Sequence, residues 1–105
     1  MENITVQELK ARADAGEKLN ILDVREPSEY EEFNIGGKLI PLVQIQGMQT
    51  DEIDDWKEEE VIVHCRSGKR SATAAQYMET QGFKNVKNLV GGMLAWQERF
   101  GNSQL

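Results

Sequence analysis

Cys65 is the only cysteine of the chain and the residue best placed to act as a nucleophile. It follows the continuous apolar run Val61–Val63 and His64, which is typical of a buried strand in a parallel sheet. Cys65 therefore falls at the carboxyl end of a strand, the edge at which open α/β sheets bind their ligands. A polar loop comes next, and its residues are Arg66, Ser67, Gly68, Lys69, Arg70 and Ser71.

The surroundings of Cys65 favour the thiolate form of its side chain. The chain has 12 basic and 18 acidic residues and a net charge of -6, yet Arg66, Lys69 and Arg70 lie within five positions of Cys65. Cations and the N–H groups of a helix N-terminus lower a cysteine pKa from about 8.5 to between roughly 3.5 and 7.5. A buried, inert cysteine is the alternative, because most free cysteines are of that kind. The basic loop makes a reactive thiolate the better interpretation.

Length and composition predict a single domain over residues 1-105. A chain of 105 residues that is 39% hydrophobic can bury one modest core. It has no run apolar enough for a membrane span and no secretory signal, so we expect a cytoplasmic protein that does not enter membranes. A lone cysteine also suits a reducing compartment. The negative net charge argues against a nucleic-acid partner and favours a small anion bound at the basic loop.

Strand and helix patterns alternate along the chain without a linker or an internal repeat. Thr5 and Glu8 have the spacing of a capping box, which predicts a helix from Val6 to Ala15 that stops at Gly16. Further strands are expected over residues 20–25, 38–41 and 83–89 and in the run before Cys65. Further helices are expected over residues 27–33, 69 or 70 to 80, and 93–100, and within 43–56. Glu58, Glu59 and Glu60 are expected to form a solvated turn.

Repeated strand–helix units of this kind predict an α/β fold. We expect a mostly parallel central sheet of about five short strands with helices on both faces.

Three segments of the chain carry a further pattern. They are Leu22 to Tyr30 followed by Ile35-Gly36-Gly37, His64 to Ser71, and Asn88 to Trp96. Together, in this order, they resemble the signatures of the rhodanese-like family of sulfurtransferase domains, and the resemblance covers nearly all of the chain. One departure is Phe33-Asn34, where the family often has Gly-His. It concerns the local turn and the edge of the pocket.

The resemblance implies sulfur transfer through Cys65. The thiolate would take a sulfane sulfur from a small sulfur-containing anion such as thiosulfate, or from a protein persulfide, and hold it as a persulfide. Backbone N–H groups of residues 66–71 would point at this anion, and Gly68 would let the backbone curl around it. No cofactor is implied. Because the chain has no second cysteine, an external thiol or a cyanide-like acceptor would remove the sulfur.

Two other functions stay open from the sequence. A cysteine-dependent phosphatase or arsenate reductase also has a His-Cys start and a loop glycine, but its catalytic arginine would fall at position 71, which is Ser71. Arg70 comes one residue early, and the shorter loop suits one sulfur better than a tetrahedral oxyanion. A protein-interaction module that keeps the fold without turnover is the other alternative. The basic loop around Cys65 argues against it.

Several polar residues near the predicted site have simpler interpretations. Asp23 and Arg25 lie on one face near the end of a strand, where they could border the pocket or form a scaffolding ion pair. His64 points to the opposite face from Cys65 and is interpreted as structural. Gly91-Gly92 is interpreted as a tight turn. One histidine and one cysteine are too few for a structural zinc site, so we expect no metal.

Overall fold

Five short strands form one parallel sheet in the computed structural model, which describes residues 1–105. The strands are β1 (Glu2–Ile4), β2 (Ile21–Asp23), β3 (Lys38–Leu39), β4 (Glu60–His64) and β5 (Asn85–Leu89). Their order across the sheet is β1-β5-β4-β2-β3, and every neighbouring pair is parallel. This confirms the predicted α/β fold and places the strand that leads to Cys65 in the middle of the sheet.

Helices cover both faces of the sheet, as predicted. They are α1 (Val6–Asp14), α2 (Pro27–Glu32), α3 (Leu42–Gln46), α4 (Lys69–Thr80) and α5 (Gly92–Phe100), with a 3-10 helix over Asp51–Trp56. One buried cluster holds Ile45 of α3 and Met78 of α4, and the other holds Leu9 of α1 and Trp96 of α5. None of these helices has the length and apolar character needed to cross a membrane.

The central strand β4 is buried on both of its faces. Val61 and Val63 belong to the cluster under α3 and α4, whereas Ile62 belongs to the cluster under α1 and α5. Successive side chains of a strand point to opposite faces, so a strand covered on both sides needs apolar residues throughout. Cys65 continues the alternation on the Val61 and Val63 side.

The predicted elements are present with small shifts at their borders. The capping box forms, because Thr5 N donates to Glu8 Oε1 at 3.0 Å and Glu8 N donates to Thr5 Oγ1 at 3.1 Å. α1 then starts at Val6 and ends at Asp14. The helix expected within residues 43–56 is two short elements, α3 and the 3-10 helix.

Two expectations about the strands differ from the structure. Glu60 does not lie in a solvated turn but begins β4, where it pairs with Asn85 of β5. Its carboxylate accepts hydrogen bonds from Arg12 Nη2 and Lys87 Nζ, each at 2.6 Å. β1 is not among the predicted strands. Its three residues pair with β5, at the other end of the chain, so the partner that makes it a strand is not local.

Candidate active site

Cys65 lies where the sequence predicts it, directly after the carboxyl end of β4. Because β4 runs between β5 and β2, residues from both neighbours surround the loop that follows. Cys65 is a free cysteine, and only 1% of its surface is exposed. The residue is therefore almost completely enclosed by its neighbours.

Two backbone N–H groups of the loop donate hydrogen bonds to the sulfur. Gly68 N lies 3.1 Å and Ser71 N lies 3.3 Å from Cys65 Sγ. Gly68 has a φ of 103°, a conformation that favours glycine, and it caps the N-terminus of α4. The expected ring of N–H groups is therefore centred on Gly68 and Ser71, one at the bend of the loop and one in the first turn of α4.

These hydrogen bonds change the acidity of the thiol. Burial raises the pKa of Cys65, but hydrogen bonds from Ser71, Gly68 and Ser67 act in the opposite direction and leave the pKa below its ordinary value. Hydrogen bonds, and not the cationic side chains, are the main causes that lower it. Of the two influences expected from the sequence, cations and N–H groups at the helix N-terminus, the N–H groups are therefore among the main causes.

The three cations of the loop have different surroundings. Arg70 forms a bidentate ion pair with Glu29 of α2, in which Nη1 and Nη2 lie 2.7 and 2.8 Å from the two carboxylate oxygens. This pair lowers the pKa of Glu29 to about 2. The pKa of the Arg70 guanidinium is raised mainly by its hydrogen bonds to Glu29 and, to a smaller extent, by attraction to the Cys65 thiolate. Arg66 and Lys69 are exposed to solvent.

The N-terminus of α5 donates backbone hydrogen bonds to Cys65 and Arg66, the first two residues of the site. Met93 N donates to the carbonyl of Cys65 at 2.9 Å, and Leu94 N donates to the carbonyl of Arg66 at 3.0 Å. A side chain on Gly92 would place its Cβ 2.4 Å from the Cys65 carbonyl oxygen. Gly92 is thus more than part of a tight turn, because it permits a close approach between two segments.

Asn88 of β5 contacts the loop from the side and was not among the predicted site residues. Its Oδ1 accepts a hydrogen bond from the Ser71 hydroxyl, and its Nδ2 lies 3.3 Å from the Gly68 carbonyl oxygen. No local pattern in the sequence distinguishes Asn88 from the other polar residues of β5. Its place in the closing segment of the family resemblance, directly after Lys87, carries no such information either.

Asp23 and Arg25 form a buried ion pair beside the site. Arg25 Nη2 lies 2.7 Å from Asp23 Oδ2, and it also donates to the Phe33 carbonyl at 2.7 Å. The scaffolding interpretation fits this geometry, since the pair joins the end of β2 to the end of α2. The Phe33-Asn34 departure is accommodated in the same turn, where Asn34 Oδ1 accepts from Gly36 N at 2.9 Å.

His64 is completely buried on the other side of its strand. Its Nε2 lies 3.7 Å from Asp23 Oδ2, and neither ring nitrogen has a hydrogen-bond partner. Burial lowers the pKa of His64 to about 4, against an opposing effect of Asp23. The imidazole is therefore neutral near pH 7, which fits the structural role expected for it.

A pocket of about 360 Å³ opens beside the loop. Its lining includes Arg25, Phe33, Arg66, Leu94 and Gln97, which come from three different parts of the chain. A second surface pocket of about 390 Å³ lies between the start of α1 and α5 and contains none of the loop residues. The chemistry of Cys65 therefore points to the first pocket as the candidate substrate site.

The chain is similar to a large domain family and to individual relatives. The family model described as "Rhodanese-like domain" matches residues 5–99. The Bacillus subtilis protein named "Putative sulfurtransferase YtwF" is 36% identical over 99 residues, which cover 92% of this chain and 91% of that protein. A crystal structure of a "Rhodanese-like Domain Protein from Staphylococcus aureus" has a TM-score of 0.79 and 35% identity, with 91% of each chain covered.

One similar relative is longer than this chain. The Bacillus subtilis protein named "Putative sulfur carrier protein YrkF" is 43% identical over 94 residues. The match covers 89% of this chain but 49% of that protein, so the chain spans about half of its length.

Proposed function

Because the chain belongs to the rhodanese-like domain family, we propose that it is a sulfurtransferase that carries a sulfane sulfur as a persulfide on Cys65. The observation that supports this most directly is the pair of N–H groups, from Gly68 and Ser71, that donate to Cys65 Sγ. A site that holds a thiolate in this way provides a nucleophile without a metal or a neighbouring base.

The first half of the reaction forms the persulfide. The Cys65 thiolate attacks the outer sulfur of a donor such as thiosulfate and forms a new S–S bond. The S–S bond of the donor breaks, and sulfite leaves with the electron pair. The products are a Cys65 persulfide anion and sulfite, so charge and electrons balance without an oxidant.

The second half returns the enzyme to its thiolate form. An external nucleophile, a thiolate or cyanide, attacks the outer sulfur of the persulfide, and Cys65 leaves as the thiolate. Cys65 is the only cysteine of the chain. No second thiol of the chain can therefore attack the persulfide and form an internal disulfide. The N–H groups of Gly68 and Ser71 are available to the anion in both halves of the cycle.

The names of the relatives support sulfur donors and acceptors in general as partners. Thiosulfate, a small persulfide and a protein persulfide are the donors that we propose to test. A cytoplasmic location is part of the same proposal, and it rests on the lone cysteine and the reducing conditions that suit it.

Intact-mass measurement after exposure to each donor tests the proposal. We expect one added sulfur atom per chain with at least one donor, lost again on addition of cyanide, which should appear as thiocyanate. The variant Cys65→Ser should fold normally, because the change is small, and should gain no sulfur. Sulfur transfer retained by Cys65→Ser would overturn the proposal. Hydrolysis of an aryl phosphate as fast as sulfur transfer would favour the phosphatase alternative.

A further inference from the structure

Asn88 occupies a position from which one side chain reaches two parts of the Cys65 loop. It lies in β5, paired with Val63 of β4, and only 8% of its surface is exposed. Its amide meets the loop at Gly68 and at Ser71. These are the same two residues whose N–H groups donate to Cys65 Sγ.

We propose that Asn88 is a positioning residue that fixes the two sulfur-binding N–H groups of the loop, an inference that rests on the proposed function. The contact with Gly68 is needed because glycine has the largest conformational freedom of any residue. Gly68 has no side chain that could hold its φ of 103° in place. The hydrogen bond from Asn88 Nδ2 to the Gly68 carbonyl oxygen restricts the peptide group between Gly68 and Lys69.

The contact with Ser71 controls a second donor. The Ser71 hydroxyl has one hydrogen, which it gives to Asn88 Oδ1 in this structure. If the hydroxyl donated to Cys65 instead, that hydrogen bond would lower the pKa of the thiol. Asn88 therefore competes with the thiolate for this hydrogen while it anchors the residue that supplies the backbone N–H.

These two effects of Asn88 on the thiol have opposite signs. Loss of the support at Gly68 weakens a donor and raises the pKa of Cys65. Release of the Ser71 hydroxyl adds a donor and lowers it. A test must separate them, and the variant Ser71→Ala does so because it removes the hydroxyl and retains the backbone N–H.

The test measures the pH dependence of iodoacetamide alkylation of Cys65, the only thiol in the chain. In the Ser71→Ala background, we expect Asn88→Ala to shift the midpoint upward by about one pH unit, the size of one weakened hydrogen bond to a charged group. In the native background, the shift should be smaller, because the freed hydroxyl compensates. Asn85→Ala, an exposed asparagine on the same strand, is the matched control and should leave the midpoint unchanged.

Asn88→Leu provides a second variant of similar shape that keeps the site filled if Asn88→Ala unfolds. Circular dichroism confirms folding of each variant before alkylation. An unchanged midpoint in folded Asn88→Leu with Ser71→Ala would overturn the proposal. Because alkylation requires no sulfur donor, this result is independent of the persulfide measurement, which tests the proposed function on the unmodified chain.

Discussion

The loop cation that interacts with Cys65 already has an ion-pair partner. Arg70 is held by both oxygens of Glu29, and the two side chains are partly buried. Lys69, its neighbour in the chain, is exposed. Two adjacent cations of one loop are therefore expected to differ in their influence on Cys65.

Single substitutions can separate these two cations. We expect Arg70→Gln to raise the pKa of Cys65 and to shift the alkylation midpoint upward by about 0.5 to 1 pH unit, because it removes a nearby cation and leaves the Glu29 carboxylate unpaired. Lys69→Gln is the matched control, with an expected shift below about 0.2 unit, since exposed charges are screened by solvent. Equal shifts in the two variants would mean that the net charge of the loop, and not contact, sets the acidity.

At the scale of single residues, local spacing was enough to place Cys65 directly after its strand and His64 in the buried interior. It could not predict Glu29 or Asn88. Both lie far from Cys65 in the chain, and only the order of the strands brings them to the loop. Contacts of this kind depend on the three-dimensional fold, and the spacing of residues along the sequence does not reveal them.

At the scale of elements, the start of α5 is the support on which the loop rests. Gly92 has a φ of 54°, and the backbone of Cys65 and Arg66 lies against it. The backbone at the start of α5, rather than a side chain, therefore determines the position of the Cys65 backbone.

Replacement of Gly92 tests this support. We expect Gly92→Ala to reduce the free energy of unfolding by more than about 2 kcal/mol and to slow sulfur transfer, because it combines a positive φ with a clash against the loop. Gly36→Ala is the matched control: Gly36 has a φ of 94° with open space around it, so only the conformational cost of about 1 kcal/mol is expected. Chemical denaturation of the two variants provides the comparison. Similar losses in both would show that the contact with Cys65 is unimportant.

Elements with local causes were predictable, and those with distant causes were not. The capping box specifies the start of α1, and the apolar run specifies β4. β1 has one buried residue among three and becomes a strand through pairing with β5. From the sequence alone, Glu60 is one of three consecutive acidic residues typical of a turn. In the folded chain it forms ion pairs with Arg12 and Lys87, which are distant in the sequence.

At the scale of the whole molecule, the single histidine gives stability a distinctive pH dependence. Its pKa is about 4 in the folded protein, against an ordinary value of 6.5. The folded chain therefore excludes a proton that the unfolded chain binds as the pH falls below 6.5. The contribution of His64 is fully present above pH 6.5 and is lost progressively down to about pH 4.

Urea denaturation at pH 7 and pH 5 measures this effect. We expect the free energy of unfolding to fall by about 2 kcal/mol between the two values through His64. His64→Leu should have a correspondingly smaller dependence, whatever its stability at pH 7. The difference between the two slopes belongs to His64, because the other groups are common to both proteins. Identical slopes would contradict the burial of a neutral imidazole.

The contacts that support the Cys65 loop come late in the sequence, and this determines when the site can form during synthesis. Asn88 and Gly92 come from the last strand and the last helix, and residues 60–63 of β4 pair with residues 85–88. A nascent chain that has emerged only as far as residue 84 holds every residue of the loop and neither support. Domains fold as units once their contacts can form. The pKa of Cys65 is therefore expected to fall when β5 and α5 pack against the rest of the chain. Until that moment the growing polypeptide carries an ordinary cysteine, which is expected to be less reactive than Cys65 in the folded protein.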